Sequence, residues 1–196
     1  MRIYRNSTLA LALLVVGGCS SGPSTSSVPA STPTSASAVT EAQATQTAKE
    51  TFQQFGKTLK AELQKAISEG GPVNAVEVCH ARAPQIAEEI SKVRGFSMGR
   101  SSHRLRNQNN APDEDIARYL EKYSASGKEA PVAAVSTDEG WTVIAPIITQ
   151  PLCVTCHGDP KTFSPELTQA LNKYYPNDKA TGFKPGDLRG VFWARL

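Results

Sequence analysis

The apolar positions of this chain form helical stripes in its first half and alternating runs in its second. From Thr40 to Glu69 there is no proline, and Phe52, Phe55, Leu59, Leu63 and Ile67 recur in steps of three and four, one face of a helix. Gly70-Gly71 ends that helix, and Pro72 suits the first turn of the next. In the second helix Val76, Cys79, Ala83, Ile86 and Ile90 lie on one stripe, so Cys79 faces the core. His80 lies about 100° round the axis, in a mixed row with Val73, Glu77, Pro84 and Ala87 that borders solvent. Pro84 predicts a kink or a fresh start, because its ring clashes with the carbonyl of His80.

Beyond this point the period changes. Arg94 to Arg106 carries Phe96, Met98, Arg100, Ser102 and Arg104 at every second position and reads as a strand, followed by a loop over Asn107 to Asn110. Asp113 opens a helix through about Tyr123, with Ile116, Tyr119, Leu120 and Tyr123 on one face. Pro131 to Ser136 and Trp141 to Thr149 read as strands joined by a hairpin at Thr137-Asp138-Glu139-Gly140. Ser164 is a natural N-cap for a short helix opening at Pro165-Glu166, and Leu188 to Leu196 is a final strand. Trp141 and Trp193 are expected in the core of the sheet. Helices followed by an antiparallel sheet with further helices laid against it predict an α+β fold. Residues 41–196 read as one domain without internal repeats.

The N-terminus changes the setting. Arg2 and Arg5 precede an apolar run from Leu9 to Val16 that is too short to span a bilayer, the mark of an export signal over residues 1–18. The run ends in Val16-Gly17-Gly18-Cys19, which resembles a bacterial lipobox and predicts lipidation at Cys19. Ser20 in place of an aspartate leans towards the outer membrane. Residues 19–40 are almost all Ser, Thr, Pro, Ala and Gly, too poor in apolar surface to order themselves, and read as a flexible tether. Without the leader, 19 basic residues face 18 acidic ones. This near-neutral balance offers no case for nucleic-acid binding.

The candidate chemistry lies at Cys153-Val154-Thr155-Cys156-His157, the attachment signature of a c-type haem. Two thiols three positions apart can form thioethers to both vinyl groups of one haem, and the adjacent histidine supplies the proximal nitrogen. The competing readings are a redox dithiol, which leaves His157 idle, and a zinc site completed by Cys79 and His80. Export agrees with haem attachment, which takes place outside the bacterial cytoplasm. With Cys19 assigned to lipid and Cys153 and Cys156 to haem, Cys79 remains as a lone thiol that needs burial or ligation in an oxidising compartment.

Several ordered pieces together resemble the Tll0287-like c-type haem proteins, a family with a PAS-like domain. They are Ala75-Val76-Glu77-Val78-Cys79, Ala83-Pro84 and Ile86-Ala87, then Arg100-Ser101-Ser102, Arg106-Asn107 and Asn110-Ala111-Pro112-Asp113-Glu114. The Cys153–Gly158 run follows, and last come Gly182-Phe183 and Gly186-Asp187-Leu188-Arg189-Gly190. The resemblance covers about residues 45–196. It implies iron held by His157 and a cysteine from the first helical region, here Cys79. Gln108 stands where the family pattern has proline, which implies a less rigid loop.

Four side chains compete for the sixth iron position: Cys79, His80, His103 and Met98. Cys79 is favoured by its stripe and by the resemblance. A thiolate would lower the reduction potential and could leave on reduction or protonation, with His80 as a standby ligand. Arg94, Arg100, Arg104 and Arg106 form the densest basic cluster and could meet the haem propionates, with Arg100 and Arg106 favoured because they match the family. The expected function is a membrane-tethered haem module for redox or gas sensing, or for low-potential electron transfer with a separate protein. The alternatives are a peroxidase-like enzyme with an open distal site and a zinc-binding structural domain. A homodimer through the helix over Thr40–Glu69 is also compatible with the pattern.

Overall fold

The computed structural model describes residues 39–126 and 130–196. The leader, Cys19 and the tether up to residue 38 lie outside the described residues. The first element is α1 (Glu41–Arg94), a helix in two arms broken at Gly70 and Gly71, the only non-helical dihedrals inside it. Thr40 caps it, its hydroxyl accepting from the Gln43 amide while the Gln43 side chain accepts from the Thr40 amide. Gly71 supplies the left-handed φ of 70° that lets the chain double back. Asn74 then donates to the Ala66 carbonyl at 2.9 Å, tying the start of the second arm to the end of the first. Arg82 pairs with Glu62 and Arg94 with Gln54, so the two arms run antiparallel side by side.

Pro84 is accommodated within the second arm, which continues through it with helical dihedrals and no fresh start. The arm ends at Gly95, in the left-handed conformation at φ 76°, which donates to the Ser91 carbonyl. This ending corrects the expected strand. The helix still holds Arg94, and β1 runs only from Ser97 to Ser101. Ser102 and Arg104 leave the ladder because their groups bond across to other segments, as described below.

The remaining elements are α2 (Glu114–Ser126), β2 (Ala133–Thr137), β3 (Gly140–Ile148), the one-turn α3 (Val154–His157), α4 (Pro165–Tyr174) and β4 (Leu188–Arg195). The four strands form one antiparallel sheet in the order β1-β4-β3-β2. Pro146 sits in central strand β3, yet it removes no ladder bond. Trp141 and Leu196 exchange hydrogen bonds, so even-numbered residues of β3 turn their amides towards β2, whose pairing ends at Ala133 opposite Ile144.

Alternation along the strands sends two sets of side chains to two faces. Val143, Ala145, Ala194 and Met98 pack under both arms of α1 with Ala48, Phe52, Phe55, Ile86 and Ile90. Phe192 stacks on Phe52 at 5.4 Å and meets Phe55 edge-on. Ile144, Val191 and Leu188 turn the other way and pack under α2 with Ile116, Leu120 and Tyr123. The upper part of the first arm's stripe, Phe52 and Phe55, is therefore covered by this chain's own sheet. Its lower part, Leu59, Leu63 and Ile67, lines a cavity instead. The arrangement is α+β, an antiparallel sheet with flanking helices and a long N-terminal helix. No described helix is long and apolar enough to cross a membrane.

Candidate functional site

A cavity of about 380 Å³ opens between the two arms of α1, strand β1 and the α3 turn. The stripe residues of both arms furnish its apolar wall, together with Met98 and Trp193. Cys79 enters from the second arm, one turn beyond Val76, where the 3.6-residue period carries it to the inner face. A β-bulge between Ile147 and Ile148 ends β3, and a 3-10 turn at Pro151–Cys153 leads into α3. Cys153 and Cys156 are thus three apart on one helical turn and both line the cavity, with His157 directly after them. All three cavity cysteines are free thiols and half-buried.

His157 is the best-defined donor. Its Nδ1 lies 2.7 Å from the Ala180 carbonyl. A carbonyl only accepts, so Nδ1 carries the proton and Nε2 keeps its lone pair. Burial pushes the His157 pKa well below the ordinary value, and the nearby Arg106 and Arg189 charges push the same way. The ring is therefore neutral at physiological pH, which is the state a metal requires. Burial pushes the Cys79 thiol up, while Arg100 and Arg106 pull it back down. The Cys156 thiol is likewise raised by burial, opposed by Arg106.

Three guanidinium groups line the cavity: Arg100, Arg106 and Arg189. Arg100 lies over the Phe55 ring at 5.2 Å and has no hydrogen-bond or ion-pair partner among the described residues. Desolvation lowers its pKa, as it does that of Arg189, which is pushed down to about 10 with help from the Arg106 and Arg100 charges. Arg106 is differently engaged. Its Nε donates to Asp178 at 3.0 Å, Nη2 lies 2.9 Å from the same carboxylate as an ion pair, and Nη2 donates to the carbonyls of Cys156 and Ala180. Ser102 ties the wall together. Its hydroxyl donates to the Arg189 carbonyl and accepts from the Arg104 amide and Arg189 Nη1.

The expected residues separate accordingly. Cys79, Met98, Arg100, Arg106, Cys153, Cys156 and His157 meet in one cavity. His80 is exposed on the outer side, its ring 5.2 Å from both Tyr174 and Tyr175. His103 is exposed against Phe183. Arg94 bonds Gln54 at the surface, far along the helix from the cavity wall. Arg104 lies outside as well, donating to the Thr181 carbonyl and covering the Phe183 ring at 3.6 Å. No group of three or more His, Cys, Asp or Glu side chains among the described residues is placed to hold a metal ion. Sequence reasoning passed over Arg189, Asp178 and Ala180. Arg189 had one available signal, its place in the Gly186–Gly190 run; the other two had none.

No curated protein matches the chain. Among solved structures it is similar to the crystal structure of the cyanobacterial heme-protein Tll0287, at 24% identity and a TM-score of 0.57, over 73% of this chain and 90% of that one. At that identity the likeness concerns the fold. A family model described as Tll0287-like matches residues 34–196. The cavity-forming arms, the β1 wall and the Cys153–His157 turn all fall inside that span, and the chain belongs to the Tll0287-like family.

Proposed function

We infer that this chain binds one haem in the cavity, which Cys153 and Cys156 would attach and which His157 and Cys79 would ligate. The observation that carries the reading is the convergence of three thiols and an unprotonated imidazole nitrogen on one apolar cavity with unpaired positive charge at its wall. The solved relative is described as a heme-protein, in keeping with this reading. The residues fit the group. The apolar faces of a haem suit the Leu59, Leu63 and Val76 wall, and Arg100 and Arg189 suit its carboxylates. Haem would supply a one-electron iron couple. Around it, Ala180 holds the imidazole in the ligating tautomer, while burial raises the Cys79 pKa and Arg100 and Arg106 only partly offset that rise, so the thiolate form would need the iron itself. A Cys79 thiolate on the iron would favour the ferric state, which would suit redox or gas sensing or low-potential electron transfer better than a high-potential carrier. The leader and Cys19 point to an exported protein anchored by lipid at a bacterial membrane, the outer one favoured by Ser20.

The test is electron paramagnetic resonance with optical spectra on the full chain, matured with the cytochrome c machinery, beside Cys79→Ala. A low-spin thiolate signature that disappears in the variant supports the assignment. A high-spin, five-coordinate signal unchanged by the substitution would refute Cys79 ligation and move the reading to an open, peroxidase-like site. Cys19→Ser should release the protein from the membrane fraction, and unchanged fractionation would remove the anchor.

A further inference from the structure

Arg106 is expected from the sequence to meet an anionic group, but the folded chain gives its donors other work. Asp178 Oδ2 accepts from Arg106 Nε at 3.0 Å and lies 2.9 Å from Nη2 as an ion pair, and Oδ1 accepts from the Ala180 amide at 2.7 Å. Arg106 Nη2 in turn donates to the Cys156 carbonyl at 2.5 Å and the Ala180 carbonyl at 3.3 Å. Both side chains are about nine-tenths buried, at 10% and 11% exposure, and Ala180 is fully enclosed. The Ala180 carbonyl is the group that receives His157 Nδ1–H. The Ala180 peptide is thus gripped on its amide side by Asp178 and on its carbonyl side by Arg106. The same guanidinium also fixes the carbonyl of Cys156, the residue before His157. Two backbone bonds, Phe183 to the His157 carbonyl at 2.9 Å and Gly182 to the Gly158 carbonyl at 2.6 Å, complete the clasp.

We propose that Arg106 and Asp178 act together as positioning residues for His157. They aim the Ala180 carbonyl at Nδ1, which imposes the tautomer that leaves Nε2 open towards the cavity. A neutral imidazole has two tautomers, and the choice is made by the hydrogen bond at the other nitrogen. Outer partners of a ligating histidine orient the ring and set its basicity, and their loss weakens ligation by about 10–100-fold in metal sites generally. The consequence for iron rests on the haem reading above; the consequence for the tautomer does not.

The experiment therefore has two arms. In the haem-free full chain, nitrogen-15 NMR of the histidine rings reads the His157 tautomer directly. The wild type should show Nδ1–H alone, and Nε2–H as its main form overturns the proposal without recourse to any variant. Arg106→Lys keeps the charge but loses the fork, and Asp178→Asn keeps the shape but loses the charge. Either variant, with circular dichroism unchanged, should lose the single tautomer and show a mixture; an unchanged Nδ1–H spectrum in a folded variant refutes the positioning role. Haem attachment is scored separately on the matured chain by the pyridine haemochrome spectrum. Absence of haem in the wild type would sink the haem reading and leave the tautomer result standing. Attachment together with an unperturbed tautomer in both variants would sink the positioning role alone.

Discussion

Raising the pH from 10 to 12 should loosen α2 from the sheet through one side chain. Tyr123 is 1% exposed, and its hydroxyl donates to the Pro131 carbonyl at 2.7 Å with the Ile144 carbonyl at 3.2 Å. Burial, aided by the charge of Tyr119 and opposed by the Ala133 amide, pushes its pKa from 10.0 to about 12. The folded chain therefore holds this proton to a higher pH than the unfolded chain does. The contribution is complete below pH 10 and is lost as the pH climbs through 12. Two units correspond to about 2.7 kcal/mol at 1.36 kcal/mol each. Urea denaturation of the full chain, followed by far-UV circular dichroism at several pH values, measures the loss, with Tyr123→Phe as reference. At neutral pH the variant should be less stable by about 1–2 kcal/mol, because the Pro131 carbonyl loses its donor. Between pH 10 and 12 that gap should close and then reverse, since phenylalanine cannot ionise. Cys79, Cys156 and Tyr175, whose pKa values burial also raises, act in both proteins and cancel in the difference. A gap that stays constant from pH 9 to 12 would refute the reasoning.

Two glycine substitutions should differ although each meets a close neighbour. A Cβ at Gly190 would lie 2.2 Å from the Ser101 carbonyl, a backbone atom held in the sheet, so Gly190→Ala should cost about 3 kcal/mol in urea denaturation. At Gly99 the obstacle is the Trp193 ring at 2.5 Å, a side chain beside the cavity that can swing, so Gly99→Ala should cost nearer 1 kcal/mol; equal losses would contradict this. Arg106→Ala leaves Asp178 buried without its partner and should destabilise by about 3–5 kcal/mol, with Arg106→Ala/Asp178→Ala recovering part of the loss in the same assay. His80→Ala should leave both ferric and ferrous optical spectra unchanged, because the ring lies outside the cavity against Tyr174 and Tyr175; a changed ferrous spectrum would restore His80 as a standby ligand.

Periodicity made the fold legible because it reports burial along a single element. The stripes at Phe52–Ile67 and Val76–Ile90, the hairpin before Gly140, and the cap at Ser164 each follow from contacts within a few residues. The one misjudged strand has a local cause. Arg94 to Arg106 alternates in period two, but α1 runs on through Arg94 until Gly95 can take the left-handed cap, leaving β1 five residues. Pro84 starts no new helix: the second arm continues through it with helical dihedrals, its ring at the exposed side while Ala83 and Ile86 keep the buried stripe.

The spacing of Cys153, Cys156 and His157 on one turn, and the inward face of Cys79, were carried by the order of residues alone. Their meeting in one cavity was not. It depends on the reversal at Gly70-Gly71, which lays the second arm beside the first over β1. The roles of the arginines were equally hidden. Four looked alike in a basic run, yet only Arg100 and Arg106 line the cavity, Arg189 joins them from β4, and Arg106 is largely occupied by Asp178 and two carbonyls. These bonds link residues 50 and 72 positions apart, and the one that orients His157 spans 23. Local hydrophobic patterning carries no information about which backbone carbonyl a distant guanidinium or imidazole will find. That partner exists only once the chain has closed and burial has made every unpaired polar group costly.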